Sequence, residues 1–75
     1  MSKYRHNEFI QSMQVDMTLY LMKHWKIDQF KFIELDDSYD ILGLICTNYE
    51  PFHLMGDEGI AKEIESYICE KGGTL

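Results

Sequence analysis

An all-α fold, a compact bundle of about four helices in one domain spanning residues 1–75, is what this sequence predicts. Three observations carry it. Apolar residues recur at helical spacing in two long segments, Phe9–His24 and Ile60–Ile68. Capping and stop residues bound those segments, Asn7 before the first and Gly72-Gly73 after the second. No pair of alternating apolar runs is joined by a hairpin turn.

The first helix is expected from an Asn7 cap, with Glu8 in its first turn, to about His24–Trp25. At 100° per residue, Phe9, Ile10, Met13, Met17, Tyr20, Leu21 and His24 gather on one core-facing stripe. A second, narrower stripe, Val15, Leu19 and Met22, lies on the other side, so this helix is either central to the fold or meets another chain. Asp28 is a good N-cap for a second element through about Asp37. Phe32, Leu35 and Tyr39 share a helical face there, while Phe30–Leu35 partly alternates like a strand; helix is favoured because no partner strand exists, and strand stays open for residues 29–36.

Ser38 or Asp40 can cap a third, almost wholly apolar helix over Ile41–Cys46, which Pro51 is expected to stop. Asp57 is expected to cap the last helix, where Ile60, Ala61, Ile64, Tyr67 and Ile68 line one face and Lys62, Glu63, Glu65, Ser66 and Glu70 the other. Lys71 and Gly72-Gly73 end it.

Charge is uneven along the chain. Residues 1–33 carry five basic and three acidic side chains, a balance of +2; residues 34–75 carry two and ten, a balance of −8; the total is −6. Such a balance argues against nucleic-acid binding, which needs clustered Lys and Arg. The first residues lack the apolar run of an exported leader, and no stretch is long and apolar enough for a membrane span. The expectation is a cytoplasmic protein whose two cysteines, Cys46 and Cys69, stay reduced.

Between the last two helices lies Tyr49-Glu50-Pro51-Phe52-His53-Leu54-Met55-Gly56. This segment resembles a family of short, uncharacterised bacterial proteins, a domain of unknown function, with the pattern Tyr, acidic, any, Leu or Phe, His, two residues, Gly, then an amphipathic helix. The resemblance covers residues 40–72 well and 9–37 more loosely. Pro51 and the apolar Leu54-Met55 depart from the pattern and make the loop stiffer and more apolar. The resemblance implies an all-helical fold with no established activity. It also implies a partner, antitoxin or adaptor role, because the family's genes often lie beside those of ADP-ribosyltransferase-like toxins.

Tyr49, His53 and Gly56 are the motif's candidate binding residues. His53 titrates near neutrality and is suited to act as base, ligand or switch. Catalysis would also need a nucleophile or an orienting carboxylate, and none can be placed from sequence, so an imidazole that pins the turn through a backbone carbonyl or Tyr49 is the favoured role. Tyr49 reads as a core anchor with its hydroxyl at the edge. Gly56 is expected to supply a backbone conformation closed to other residues. His6, His24, His53, Cys46 and Cys69 are too scattered for structural zinc, and neither a metal nor a cofactor is expected.

Cys46 reads as a small core residue. Cys69 reads as an exposed thiol in an acidic setting that disfavours a nucleophile. His24 reads as a satisfied core-edge histidine, Trp25 as core or anchor, and Glu34, Asp36, Asp37 and Asp40 as a solvated patch without calcium-loop spacing. The functional expectation is a non-enzymatic protein–protein interaction domain, with Val15, Leu19 and Met22 and the acidic half as contact surfaces. Its alternatives are a homodimeric scaffold built on the same stripe and a ligand-sensing module built on Tyr49 and His53.

Overall fold

The computed structural model describes residues 2–73, with side chains from Glu8 onward. Five helices follow one another: α1 (Ser2–Trp25), α2 (Gln29–Tyr39), α3 (Ile41–Thr47), α4 (Tyr49–Phe52) and α5 (Asp57–Glu70). No strand occurs among the described residues, so residues 29–36 are helical and the chain is an all-α bundle. The fifth helix is the single turn α4, cut from the expected third helix.

Helix α1 begins before Asn7, which lies inside it and is not its cap. Its other end closes without glycine. Lys26 takes the left-handed conformation (φ 57°), the Ile27 N–H reaches the Met22 carbonyl at 2.9 Å, and the Lys26 N–H reaches that of Lys23 at 3.3 Å. This is the bond pattern usually built on glycine, here at the conformational cost a side chain brings. Gly72 (φ +84°) closes α5 in the same way, with the Gly73 N–H on the Ile68 carbonyl at 2.9 Å.

Asp28 caps α2 by accepting from the Lys31 N–H at 2.8 Å. Asp40 (φ 53°) serves two helices at once. Its own N–H donates to the Asp36 carbonyl and ends α2, and its carboxylate accepts from the Gly43 N–H at 3.2 Å and starts α3. Asp36 accepts from the Leu42 N–H at 2.8 Å, and Glu34 pairs with Lys31 at 3.0 Å. Three members of the expected solvated acidic patch therefore hold local structure.

Helix α3 ends at Asn48, three residues before Pro51. Proline lies in the first turn of α4, where no intrahelical donor is needed, and what it denies is a partner for a carbonyl of the preceding turn. Asn48 bridges the break, its backbone N–H and its Nδ2 both 3.0 Å from the Leu44 carbonyl oxygen.

The core gathers Met17 and Leu21 from α1, Phe32 and Leu35 from α2, Ile41 and Ile45 from α3, Phe52, and Ile60, Ala61, Ile64 and Ile68 from α5. Complete burial of one such aliphatic side chain contributes roughly 1.5–3 kcal/mol. Cys46 is exposed, contrary to expectation. The short α3 buries only the line Ile41–Ile45, one turn apart, and Cys46 stands about 100° away from it. Phe9 is also exposed (59%), because it sits at the edge of the α1 stripe and borders a cleft instead of a packed helix.

Candidate functional site

Burial of Phe52 fixes the Tyr49–Gly56 segment against the core, and helical spacing then sets Tyr49 and His53 one turn apart. Their rings stack with centroids 5.2 Å apart and planes 7° from parallel. His53 Nδ1 lies 2.7 Å from the Glu50 carbonyl oxygen. A carbonyl oxygen only accepts, so Nδ1 carries the hydrogen. The imidazole thus closes α4 through a backbone carbonyl and the Tyr49 ring. The N–H groups of Leu54 and Met55 turn back to the Pro51 and Phe52 carbonyls at 3.3 and 3.0 Å, and Leu54 is left 81% exposed.

Gly56 precedes α5 with φ −79° and ψ 168°, an ordinary extended conformation. A Cβ placed there meets nothing within 4 Å, so the expected conformational requirement for glycine is absent. Gly56 itself occupies the N-cap position, with no side chain to cap. Asp57 is the first helical residue, where its charge favours the helix N-terminus.

Opposite this segment, α1 presents Phe9, Ser12 and Asp16. Together with Tyr49, His53 and Asp57 they line a cleft of about 280 Å³ floored by Met17 and Ile60. Two of the three motif residues, Tyr49 and His53, thus meet at one concave surface, and Gly56 is outside it.

The other candidate surface lies farther round α1. Val15 (59% exposed) and Leu19 (60%) flank an apolar groove of about 430 Å³, bounded by Leu42 of α3. Gln14 Nε2 donates to the Leu42 carbonyl at 2.8 Å and holds α3 against α1 beside this groove. Met22, grouped with Val15 and Leu19 by periodicity, is half-buried and packs on the core. The chain reversal at Lys26–Ile27 returns to its carbonyl and removes that turn of the stripe from the surface.

A third constellation was invisible to periodicity. Trp25 Nε1–H donates to Glu65 Oε2 at 2.8 Å, across 40 residues of sequence. His24 Nε2 lies 3.4 Å from the same oxygen, and the His24 ring stacks on Tyr20 at 5.4 Å. Glu65 stands among the polar residues of α5, and no local signal marks it as the partner of the tryptophan. His24 is more exposed than a core-edge residue, its side chain 42% accessible. Cys69 is exposed as expected, and both thiols are free.

Among the described residues, no three His, Cys, Asp or Glu side chains lie close enough together to hold a metal ion. No helix among them is long and apolar enough to cross a membrane. The chain matches no protein-family model, no curated protein and no solved structure.

Proposed function

We propose that this protein is a small non-enzymatic, cytoplasmic protein–protein interaction module, with the Val15/Leu19 face of α1 as its contact surface. The observation that carries the reading is the groove itself. Two large aliphatic side chains stand more than half exposed on the longest helix, next to a mostly apolar depression. Apolar surface gathered in this way marks contact sites more often than scattered exposed residues do. The resemblance of residues 40–72 supplies the partner class, an ADP-ribosyltransferase-like toxin protein encoded alongside. The −8 balance of residues 34–75 suits a basic surface on such a partner.

The test is co-expression with the product of the adjoining gene. Co-purification with the wild-type chain, and its loss with Val15→Ser/Leu19→Ser, is the expected result. Failure of the wild-type chain to co-purify counts against the reading. The same groove also favours a second reading, a symmetric dimer in which two α1 faces bury each other. A mass that doubles with concentration in the absence of any partner distinguishes it.

A further inference from the structure

We infer that, with the Val15/Leu19 face as the contact surface, the partner enters its groove as an amphipathic α-helix antiparallel to α1, an acidic and a basic side chain bracketing its apolar residues. The polar side chains of the groove wall are already committed to the chain itself. Thr18 Oγ1 donates to the Gln14 carbonyl at 2.7 Å, and Gln14 Nε2 donates to the Leu42 carbonyl at 2.8 Å. No charged side chain is among the described residues that line the depression. An extended peptide docks by pairing with a sheet edge, and no strand exists among the described residues. Laid in this groove, it would bury N–H and C=O groups without partners. A helix satisfies its own backbone and brings only side chains, so aliphatic residues one turn apart meet Val15 and Leu19.

Charge sets the direction of that helix. On the helical projection of α1, Glu8 lies within about 20° of Val15, and Lys23 follows Leu19 by one turn, about 40° away. Both are exposed, and neither forms an ion pair with a described side chain. They stand roughly 22 Å apart along the axis, one at each end of the apolar stretch. A partner with a base opposite Glu8 and an acid opposite Lys23 is complementary at both ends. Within a helix the acid is favoured in the first turn and the base in the last. The partner's N-terminus therefore lies beside Lys23 and its C-terminus beside Glu8.

The test is a two-dimensional NMR titration of the full chain with a stapled helical peptide of about 18 residues. The peptide carries leucines on one face, glutamate in its first turn, lysine in its last, and a nitroxide at its N-terminus, reduced for the shift measurements. The expected result is saturable shifts at the Val15, Leu19 and Leu42 amides, and paramagnetic broadening centred on Lys23. Glu8→Gln/Lys23→Gln weakens binding about threefold or more, whereas the remote pair Lys62→Gln/Glu63→Gln leaves it unchanged. An unstapled peptide interrupted by proline does not bind. All four substituted residues are exposed, and the spectrum itself reports that each variant is folded.

No saturable shift at the groove, broadening centred on Glu8, equal binding by the Glu8→Gln/Lys23→Gln chain, or equal binding of the proline-interrupted peptide each overturns the inference. So does dimerisation of the chain without peptide, which assigns the groove to a second copy. The peptide probe is independent of the partner's identity. Peptide binding without co-purification of the adjoining gene product keeps the helical mode and removes that partner. Co-purification lost in Val15→Ser/Leu19→Ser, without peptide binding, keeps the contact face and removes the helical mode.

Discussion

Removing the Glu65 carboxylate loosens the only described side-chain hydrogen bond that ties α1 to α5, and its cost follows from the geometry. The Trp25 Nε1–H···Oε2 distance is 2.8 Å and the donor is part-buried, conditions under which a bond to a charged acceptor contributes about 1.5–3 kcal/mol. Glu65 keeps 33% of its side chain accessible, so solvent competes and the contribution falls below that range, to about 1–1.5 kcal/mol. For a chain of 75 residues, a loss of 1 kcal/mol lowers Tm by roughly 4–8 °C.

The assay is urea unfolding followed by far-ultraviolet circular dichroism, which does not depend on the tryptophan being mutated. A double-mutant cycle of Glu65→Ala and Trp25→Phe is expected to return a coupling of about 1 kcal/mol. Glu65→Gln, which keeps an acceptor in place, costs less than half as much as Glu65→Ala. Because His24 Nε2 lies 3.4 Å from the same oxygen, the cycle is repeated in a His24→Gln background to isolate the indole term. A coupling below about 0.3 kcal/mol in both backgrounds is within the scatter of independent sites and refutes the reasoning.

Three backbone predictions follow from the dihedral angles and caps. Lys26→Gly stabilises the fold by about 0.5–1 kcal/mol in urea unfolding, since glycine occupies φ 57° without the penalty a lysine carries. Gly72→Ala destabilises by about 1 kcal/mol at φ +84°, whereas Gly56→Ala, at an extended φ with no neighbour within 4 Å, stays within about 0.5 kcal/mol of wild type. Asp40→Ala costs about 2 kcal/mol, because it loses the α3 cap and keeps the left-handed backbone; Asp40→Gly costs less, as it relieves the second while losing the first.

Much of this architecture could be read from local chemistry. Asp28 caps the second helix and Gly72-Gly73 closes the last one through interactions within a few residues, and the helical period alone marks the Ile60–Ile68 face that the core buries. Expectation and structure part where a backbone conformation or the small extent of the core decides the outcome. Met22 left the surface because a lysine adopts the left-handed turn that glycine usually marks, and no residue type announced it. Proline is a strong stop inside a helix and harmless in a first turn, so the third helix, expected over Ile41–Cys46, ends at Thr47 through the break at Asn48 and not through Pro51. Cys46 followed the apolar character of its neighbours, although a helix of seven residues against a small core covers only one line of side chains.

The candidate sites were legible in proportion to their locality. Tyr49 and His53 are one turn apart, and their stacking and the His53 bond to a backbone carbonyl are contacts within five residues. Asp16 and Asp57 share a cleft only because α1 and α5 pack together, and nothing in the sequence pairs them. The same holds for Trp25 and Glu65.

The most direct test of the contact face is sedimentation mass over a concentration series, for the chain alone and mixed with the adjoining gene product, in wild-type and Val15→Ser/Leu19→Ser forms. Both side chains are more than half exposed, so the variant is expected to fold with stability close to wild type, within about 1 kcal/mol. The account predicts a monomer for either form alone and a heavier mixed species for wild type only. A wild-type dimer that becomes a folded monomer on substitution contradicts the foreign-partner reading and assigns the groove to self-association, and a mixed species that survives substitution removes the contact from this face.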